Sequence, residues 1–404
     1  MGGLIAASGG KLRDAGRVMI VRQFLHWMRM APAVERADAT AALARAYLYS
    51  ELSRDDRAAA EGALIMLLDD PSPLVRVELA RALAFSESAP PTVILGLAGD
   101  QPEVAAWVVE HSPLLLDADL VDAVATGESR VQAAIASRAA LPASVSAAIA
   151  EVGSAEACLV LLENPQAEIA AFSLDRIVTR HGHLAAVRES MLARNDVSAA
   201  TRQALVAKLS QALAGFVIAR EWLHPDRAER IVKEACEKAT VALAAQSPEC
   251  EIRPLIRHLR ESGQLTAGLI LRALLSGNVD MFVEALAELS NLPLARVRAL
   301  VHEKAGGLRA IFERANLPAA TYPAFREALE AMREGGFDPA GPSRLKRRMV
   351  ERVLTRCADE PDVETAPLLM LLRRFAAEAA REEARLFCDE LAGDEDSFDR
   401  RAAA

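Results

Sequence analysis

The chain has 404 residues, 52% of them hydrophobic but only 4% aromatic, and 81 are alanine. It can therefore bury a large core, but mostly from small side chains, which favours short helices that approach one another closely. The net charge of −9 argues against general affinity for nucleic acid, which needs Lys and Arg to neutralise phosphates.

That charge is unevenly spread: residues 1–36 carry Lys11, Arg13, Arg17, Arg22, Arg29 and Arg36 against Asp14 and Glu35. The five cysteines (Cys158, Cys236, Cys250, Cys357 and Cys388) are far apart and form no Cys-x-x-Cys pair. They rule out a disulfide framework or a cysteine-rich zinc site and fit a reducing cytoplasm. No apolar run reaches the roughly 18–20 residues needed to span a bilayer, and Met1 to Gly10 lack the basic start of a secretory signal. A cytoplasmic location is the expectation.

Residues 1–16 read as a flexible leader. Residues 17–30 predict a helix with Val18, Val21, Leu25 and Met28 on one face, Ile20, Phe24 and Trp27 beside it, and Arg17, Arg22 and Arg29 around the rest. Such a helix can cap the first repeat, or lie weakly on an anionic membrane surface through Arg22, Phe24, Trp27 and Arg29. Together residues 1–37 form a basic leader.

From residue 38 to 197, breaks recur at Asp70-Pro71, Asp100, Glu128, Asn164-Pro165 and Asn195-Asp196, so successive spacings are 30, 28, 36 and 31. Periods of that size predict a helical solenoid, in which each helix pair buries its apolar face only by stacking on its neighbours. The clearest unit is residues 69–85. Ser72 is placed to cap a helix and Pro73 suits its first position. Val75, Leu79, Ala82 and Leu83 then make one apolar stripe. Asp70 followed by Val75-Arg76 matches a HEAT-like repeat, with the Asp serving the turn and the Arg reaching the neighbouring repeat.

Residues 198–389 predict longer helices near 198–222, 226–246, 264–275, 278–290, 294–303, 307–315, 321–334, 343–358 and 363–389. His224-Pro225, Ser247-Pro248, Ser276-Gly277, Asn291-Leu292-Pro293 and Gly335-Gly336 mark breaks between them. Residues 390–404, with Glu390, Asp394, Glu395, Asp396 and Asp399, read as a disordered acidic tail. No run alternates with period two. The expected fold is all-α: a HEAT-like α-solenoid of short helix pairs followed by a C-terminal bundle of longer helices.

The segments at 67–84, 111–121, 263–289, 292–318 and 347–356 resemble, in order, a bacterial and mainly alphaproteobacterial family of HEAT-like repeat proteins. It is catalogued as a domain of unknown function. The resemblance covers roughly residues 38–388. It implies an all-helical repeat fold in a cytoplasmic bacterial protein and carries no catalytic or ligand residues with it.

Motifs for chemistry are sparse. His181-Gly182-His183 is the only close histidine pair, and a metal would need further ligands converging on it; a polar interhelical loop accounts for it. His302-Glu303 cannot by itself build a two-iron site. No phosphate-binding, nucleophile-elbow, dinucleotide or H-E-x-x-H motif is present, and Gly306-Gly307 reads as a plain turn. Arg344, Lys346, Arg347, Arg348, Arg352 and Arg356 form a basic ridge, with 344, 348 and 352 in line at helical spacing. It is either a salt-bridged helix face or a nucleic-acid contact. The expectation is a non-enzymatic scaffold or adaptor that needs no metal or cofactor and binds another protein along its solenoid surface. The alternative is a nucleic-acid-binding or base-repair protein using Arg344–Arg356.

Overall fold

The computed structural model describes residues 26–28, 30–302, 307–334, 345–358 and 366–402, with side chains as far as Asp389. The described residues contain helices and no strand, with one isolated bridge between Leu141 and Ala167. The fold is all-α. The chain divides into two compact units, one ending at Asn195 and the next beginning at Asp196.

The first unit holds α1 (Ala33–Tyr49), α2 (Arg54–Met66), α3 (Pro73–Leu83), α4 (Pro91–Ala98), α5 (Pro102–His111) and α6 (Asp117–Thr126). It continues with α7 (Ser129–Ala136), α8 (Ala143–Val152), α9 (Ala155–Glu163), α10 (Ala171–His181) and α11 (Ala185–Ala193). Each odd-numbered helix packs on the next odd one from α1 to α11. Contacts between α2 and α4, and then α6, α8 and α10, build a second layer. Helix starts follow from local chemistry. Proline opens α3, α4 and α5, where its missing N–H costs nothing, and Ser53 and Ser154 accept backbone N–H groups at the starts of α2 and α9.

Val75, Leu79 and Leu83 of α3, Val104 and Val108 of α5, and Val145 and Ile149 of α8 are fully buried. Each such side chain contributes about 1.5–3 kcal/mol on leaving water. Between them sit buried alanines (Ala44, Ala80, Ala84, Ala105) that let neighbouring helix backbones close up.

Directional bonds link neighbouring helices. Arg36 donates to both carboxylate oxygens of Asp70 at 2.9 Å. Asp70 also accepts the N–H of Ser72 at 2.8 Å, holding the turn, while Arg76 reaches Asp100. Ser72 occupies the N-cap of α3, but its side chain makes no cap bond there; the neighbouring Asp70 organises this turn. Further along, side chains take over unpaired carbonyls at the C-terminus of the helix two earlier in the chain. Arg138 donates to Val109 and Ser112, Asn164 to Ala136 and Arg138, Arg180 to Ala150 and Gly153, and Arg194 to Leu162.

The second unit holds α12 (Ala199–Ala219), α13 (Pro225–Gln246), α14 (Glu249–Glu261), α15 (Ala267–Leu275), α16 (Val279–Ser290) and α17 (Leu294–His302). After these come α18 (Gly307–Arg314), α19 (Tyr322–Glu334), α20 (Arg347–Ala358) and α21 (Ala366–Ala402). Leu269 to Leu275 of α15 are buried on every side, as an apolar helix at the centre of a core must be. Phe282, Phe312 and Phe325 pack ring to ring beside it, 5.3–6.0 Å apart. Leu368, Leu372, Phe375 and Ala379 of α21 close this core. Asn291, in the left-handed region at φ 54°, ends α16, a conformation asparagine tolerates.

One reading of the sequence changes here. Helix α14 falls where only a break after Ser247-Pro248 is expected: Pro254 lies inside it, yet Ile252, Leu255, Ile256 and Leu259 bury one continuous face that holds the helix. At the other end, α21 runs as helical backbone to Ala402.

Candidate interaction surface

On the first unit, three successive odd helices each carry a pair of large side chains four residues apart at their C-terminal ends: Arg45 and Tyr49 on α1, Arg81 on α3 with Phe85 in the turn just after it, and Trp107 and His111 on α5. Helical periodicity puts the α1 pair and the α5 pair each on one face, and the packing of α1 on α3 and of α3 on α5 makes the three helix ends neighbours. Tyr49 is 80% exposed and Phe85 68%. An open pocket of about 540 Å³ lies between them, lined by Arg45, Tyr49, Arg81, Phe85 and Glu87.

The group is ordered by its own contacts. The Arg81 guanidinium lies 4.7 Å over the Trp107 ring and donates to Glu78 at 2.8 Å. Phe85 stacks on His111 with centroids 4.3 Å apart, and Trp107 is 6.0 Å from the same imidazole. Cation–π and stacking contacts order these four side chains while leaving Arg81 and Phe85 exposed and Trp107 and His111 half-buried. The surface offers flat apolar area and a guanidinium fork, the groups that dominate binding energy at protein interfaces.

Reaction chemistry finds less to work with. Among the described residues no three His, Cys, Asp or Glu side chains converge as metal ligands would. His181 closes α10 with Nε2 3.4 Å from the Gly153 carbonyl, and burial, with help from the Arg180 charge, lowers its pKa; His183 is exposed beyond it. Burial pushes the Cys158 and Cys357 thiols up to about 11, so both are protonated at neutral pH. In the second unit a pocket of about 390 Å³ between α12, α13 and the 262–266 turn is lined by Ser210, Lys233, Cys236, Glu237 and Gln264. Burial raises the pKa of both Cys236 and Glu237 there, which works against a thiolate nucleophile.

Of the side chains singled out in the sequence, Arg22, Phe24, Arg29 and Arg344 lie outside the described residues. Trp27 sits in a short helical stretch, 42% exposed, beside the buried Met28. On the basic ridge Arg348 is exposed on α20. Arg352 pairs with Glu334, and Arg347 with Glu351 at 2.7 Å and Glu383 at 3.4 Å. The carboxylates that meet these two arginines thus come from α19, α20 and α21; Asp359 to Glu364 lie outside the described residues.

The edge of α1, α3 and α5 went unnoticed in the sequence. The signal was an Arg-x-x-x-aromatic pair at helix C-termini, at 45/49 and 81/85, followed by an aromatic pair at 107/111.

No curated protein and no solved structure matches the chain. A family described as an uncharacterised protein conserved in bacteria (DUF2336) matches residues 104–361, from α5 past the end of α20. Trp107 and His111 fall inside that span; Arg45, Tyr49, Arg81 and Phe85 precede it. With well over half of its length matched, the chain belongs to the DUF2336 family of proteins conserved in bacteria.

Proposed function

We propose that this chain is a non-enzymatic helical-repeat adaptor of the bacterial cytoplasm, in which the stacked pairs α1–α11 act as a HEAT-like solenoid gripping another protein. The observation that carries the reading is an edge on which Tyr49 and Phe85 are exposed and Arg81, Phe85, Trp107 and His111 are ordered by their own contacts. Exposed rings already held in place lose little conformational entropy on binding, so most of their contact area counts toward affinity. Nucleic acid through Arg344–Arg356 has weaker support, because Arg347 and Arg352 are already engaged by carboxylates. Contact with a membrane surface through residues 17–30 rests on the sequence alone.

The test is affinity capture from the source bacterium with the full chain as bait, compared with a Tyr49→Ala, Phe85→Ala, Trp107→Ala variant of unchanged circular dichroism. Loss of specific partners from the variant is the expected result. An identical set of captured proteins on both baits overturns the assignment of this edge. Duplex DNA binding that collapses with salt and disappears on reversing the charges at Arg348 and Arg352 would replace the reading with the nucleic-acid one.

A further inference from the structure

Helices α12 and α13 form an antiparallel hairpin whose feet alone are anchored: from residue 206 to 239, only Ala228 is buried. The segment 209–219 of α12 contains no charged residue. Within it Leu209, Leu213 and Phe216 recur at i, i+4 and i+7 and stand 39%, 51% and 47% exposed. Beside them runs a parallel stripe of small exposed residues, Ala212, Gly215 and Ala219, and a Cβ added at Gly215 would meet nothing within 4 Å. At the tip Trp222 packs edge-on to Phe216 at 5.7 Å, and Arg220 covers the same ring at 5.1 Å. An apolar helix with this much surface in water calls for a covering partner.

We infer that the partner is a second copy of this chain, with α12 pairing antiparallel to α12 so that two hairpins close into a four-helix bundle. Three features select this occupant. First, a surface free of charge meets its own copy without like-charge repulsion, and the tip balances Arg220, Arg227 and Arg230 against Glu221, Asp226 and Glu229. That balance gives an anionic lipid or nucleic acid nothing to attract. Second, the stripes are self-complementary: antiparallel pairing lays the Leu209–Leu213–Phe216 ridge of one copy over the small stripe of the other, with Leu213 near the twofold axis. Third, the exposed stretch is about 25 Å long. Two helices side by side make it about 20 Å wide. Such a footprint, about 500 Å² per partner, reaches the total of about 1,000 Å² that a specific interface needs. Bundles of two such hairpins bury faces that one hairpin leaves wet.

The experiment weighs the full chain by light scattering after gel filtration at about 10 µM, where a Kd near 1 µM keeps most chains paired. The expected mass is twice 43.4 kDa. Leu213→Arg places two guanidinium groups at the axis and is expected to give the monomer with unchanged circular dichroism. A second variant, Leu213→Cys with Cys250→Ser and Cys388→Ser, is expected to form an interchain disulfide on mild oxidation. Leu192→Cys in the same background, on the exposed surface of α11, is expected not to. A monomeric wild type, a dimer that survives Leu213→Arg without disulfide formation at 213, or a monomer that floats with lipid vesicles overturns the proposal.

Discussion

Replacing Arg180 with alanine tests whether stacked helices are held in register by side chains that cap the ends of their predecessors in the stack. Arg180 donates to Ala150 and Gly153, both at 2.8 Å, at the C-terminus of α8. Those carbonyls lack partners within their own helix and carry the negative end of its dipole. Hydrogen bonds from a charged donor are worth about 1.5–3 kcal/mol each when buried. Arg180 is half-buried, so the pair is expected to contribute about 2–3 kcal/mol in all. For a unit of this size that lowers Tm by about 4–12 °C. Arg176, one turn earlier, is the control: its bond to Glu151 is also 2.8 Å, but the side chains are 44% and 57% exposed. Such a surface pair is worth about 0–1 kcal/mol. Urea unfolding followed by tryptophan fluorescence in a Trp222→Phe background reports the first unit through Trp27 and Trp107. Equal losses from Arg180→Ala and Arg176→Ala would refute the capping argument, because geometry would then count for nothing beyond charge.

Arg272, 1% exposed, donates to Glu378 at 2.8 Å, faces Glu237 at 3.8 Å and stacks on Phe375, while its Nε and Nη2 hydrogens have no acceptor. Arg272→Met is expected to cost about 3–5 kcal/mol by leaving those carboxylates without their cation. Since burial already raises the Glu237 pKa, losing Arg272 raises it further, so the penalty shrinks at pH 5 and widens toward pH 8 in denaturant titrations. A pH-independent penalty would exclude Glu237 as its source. Pro254 is exposed within α14, and Pro254→Ala restores a helix donor, with an expected gain of about 1–3 kcal/mol in the second unit. A lower melting temperature would instead show that the proline shapes the helix. His181 has a lowered pKa, so the folded state binds its proton less readily than the unfolded chain, and stability falls as pH drops through the unfolded value near 6.5. His181→Asn should flatten the slope of stability against pH between 7 and 5.5, and an unchanged slope would count against it.

What the sequence disclosed depended on how local the cause was. Pro73 and the stripe of Val75, Leu79 and Leu83 announce α3 because both signals act within a few residues. Asp70 and Arg76 were legible as a turn and a bridge, although the bridge partner, Asp100, follows only from the stacking. Helix α14 was hidden by Pro254, a local breaker outweighed by a buried face that exists only once α12 and α16 pack on it. The arginine caps were invisible for a related reason: Arg138 and Arg180 bond to backbone carbonyls, which every residue possesses, so no sequence partner marks them. The surface residues escaped notice because exposure, unlike amphipathic pattern, is decided by which helix ends the stacking leaves uncovered. Tyr49 and Tyr47 are two positions apart on α1, yet one is 80% exposed and the other 6%.

The alanine content gives these caps their importance. A repeat whose interface is built from Ala44, Ala80 and Ala105 buries little area per residue, and apolar burial is non-directional, so it does not fix the sliding of one layer over the next. A guanidinium fork on two carbonyls at a helix end does fix it, since a shift of one turn would leave both carbonyls bare in a half-buried site. The acceptors are main-chain atoms, so this registration places no demand on the residues that supply them. The C-terminal turn of α5, whose Val109 and Ser112 carbonyls are held by Arg138, is therefore free to carry Trp107 without compromising the stack. Substituting Tyr49, 80% exposed, should change binding while leaving the melting of the first unit nearly untouched, whereas substituting Arg138 or Arg180 should do the reverse.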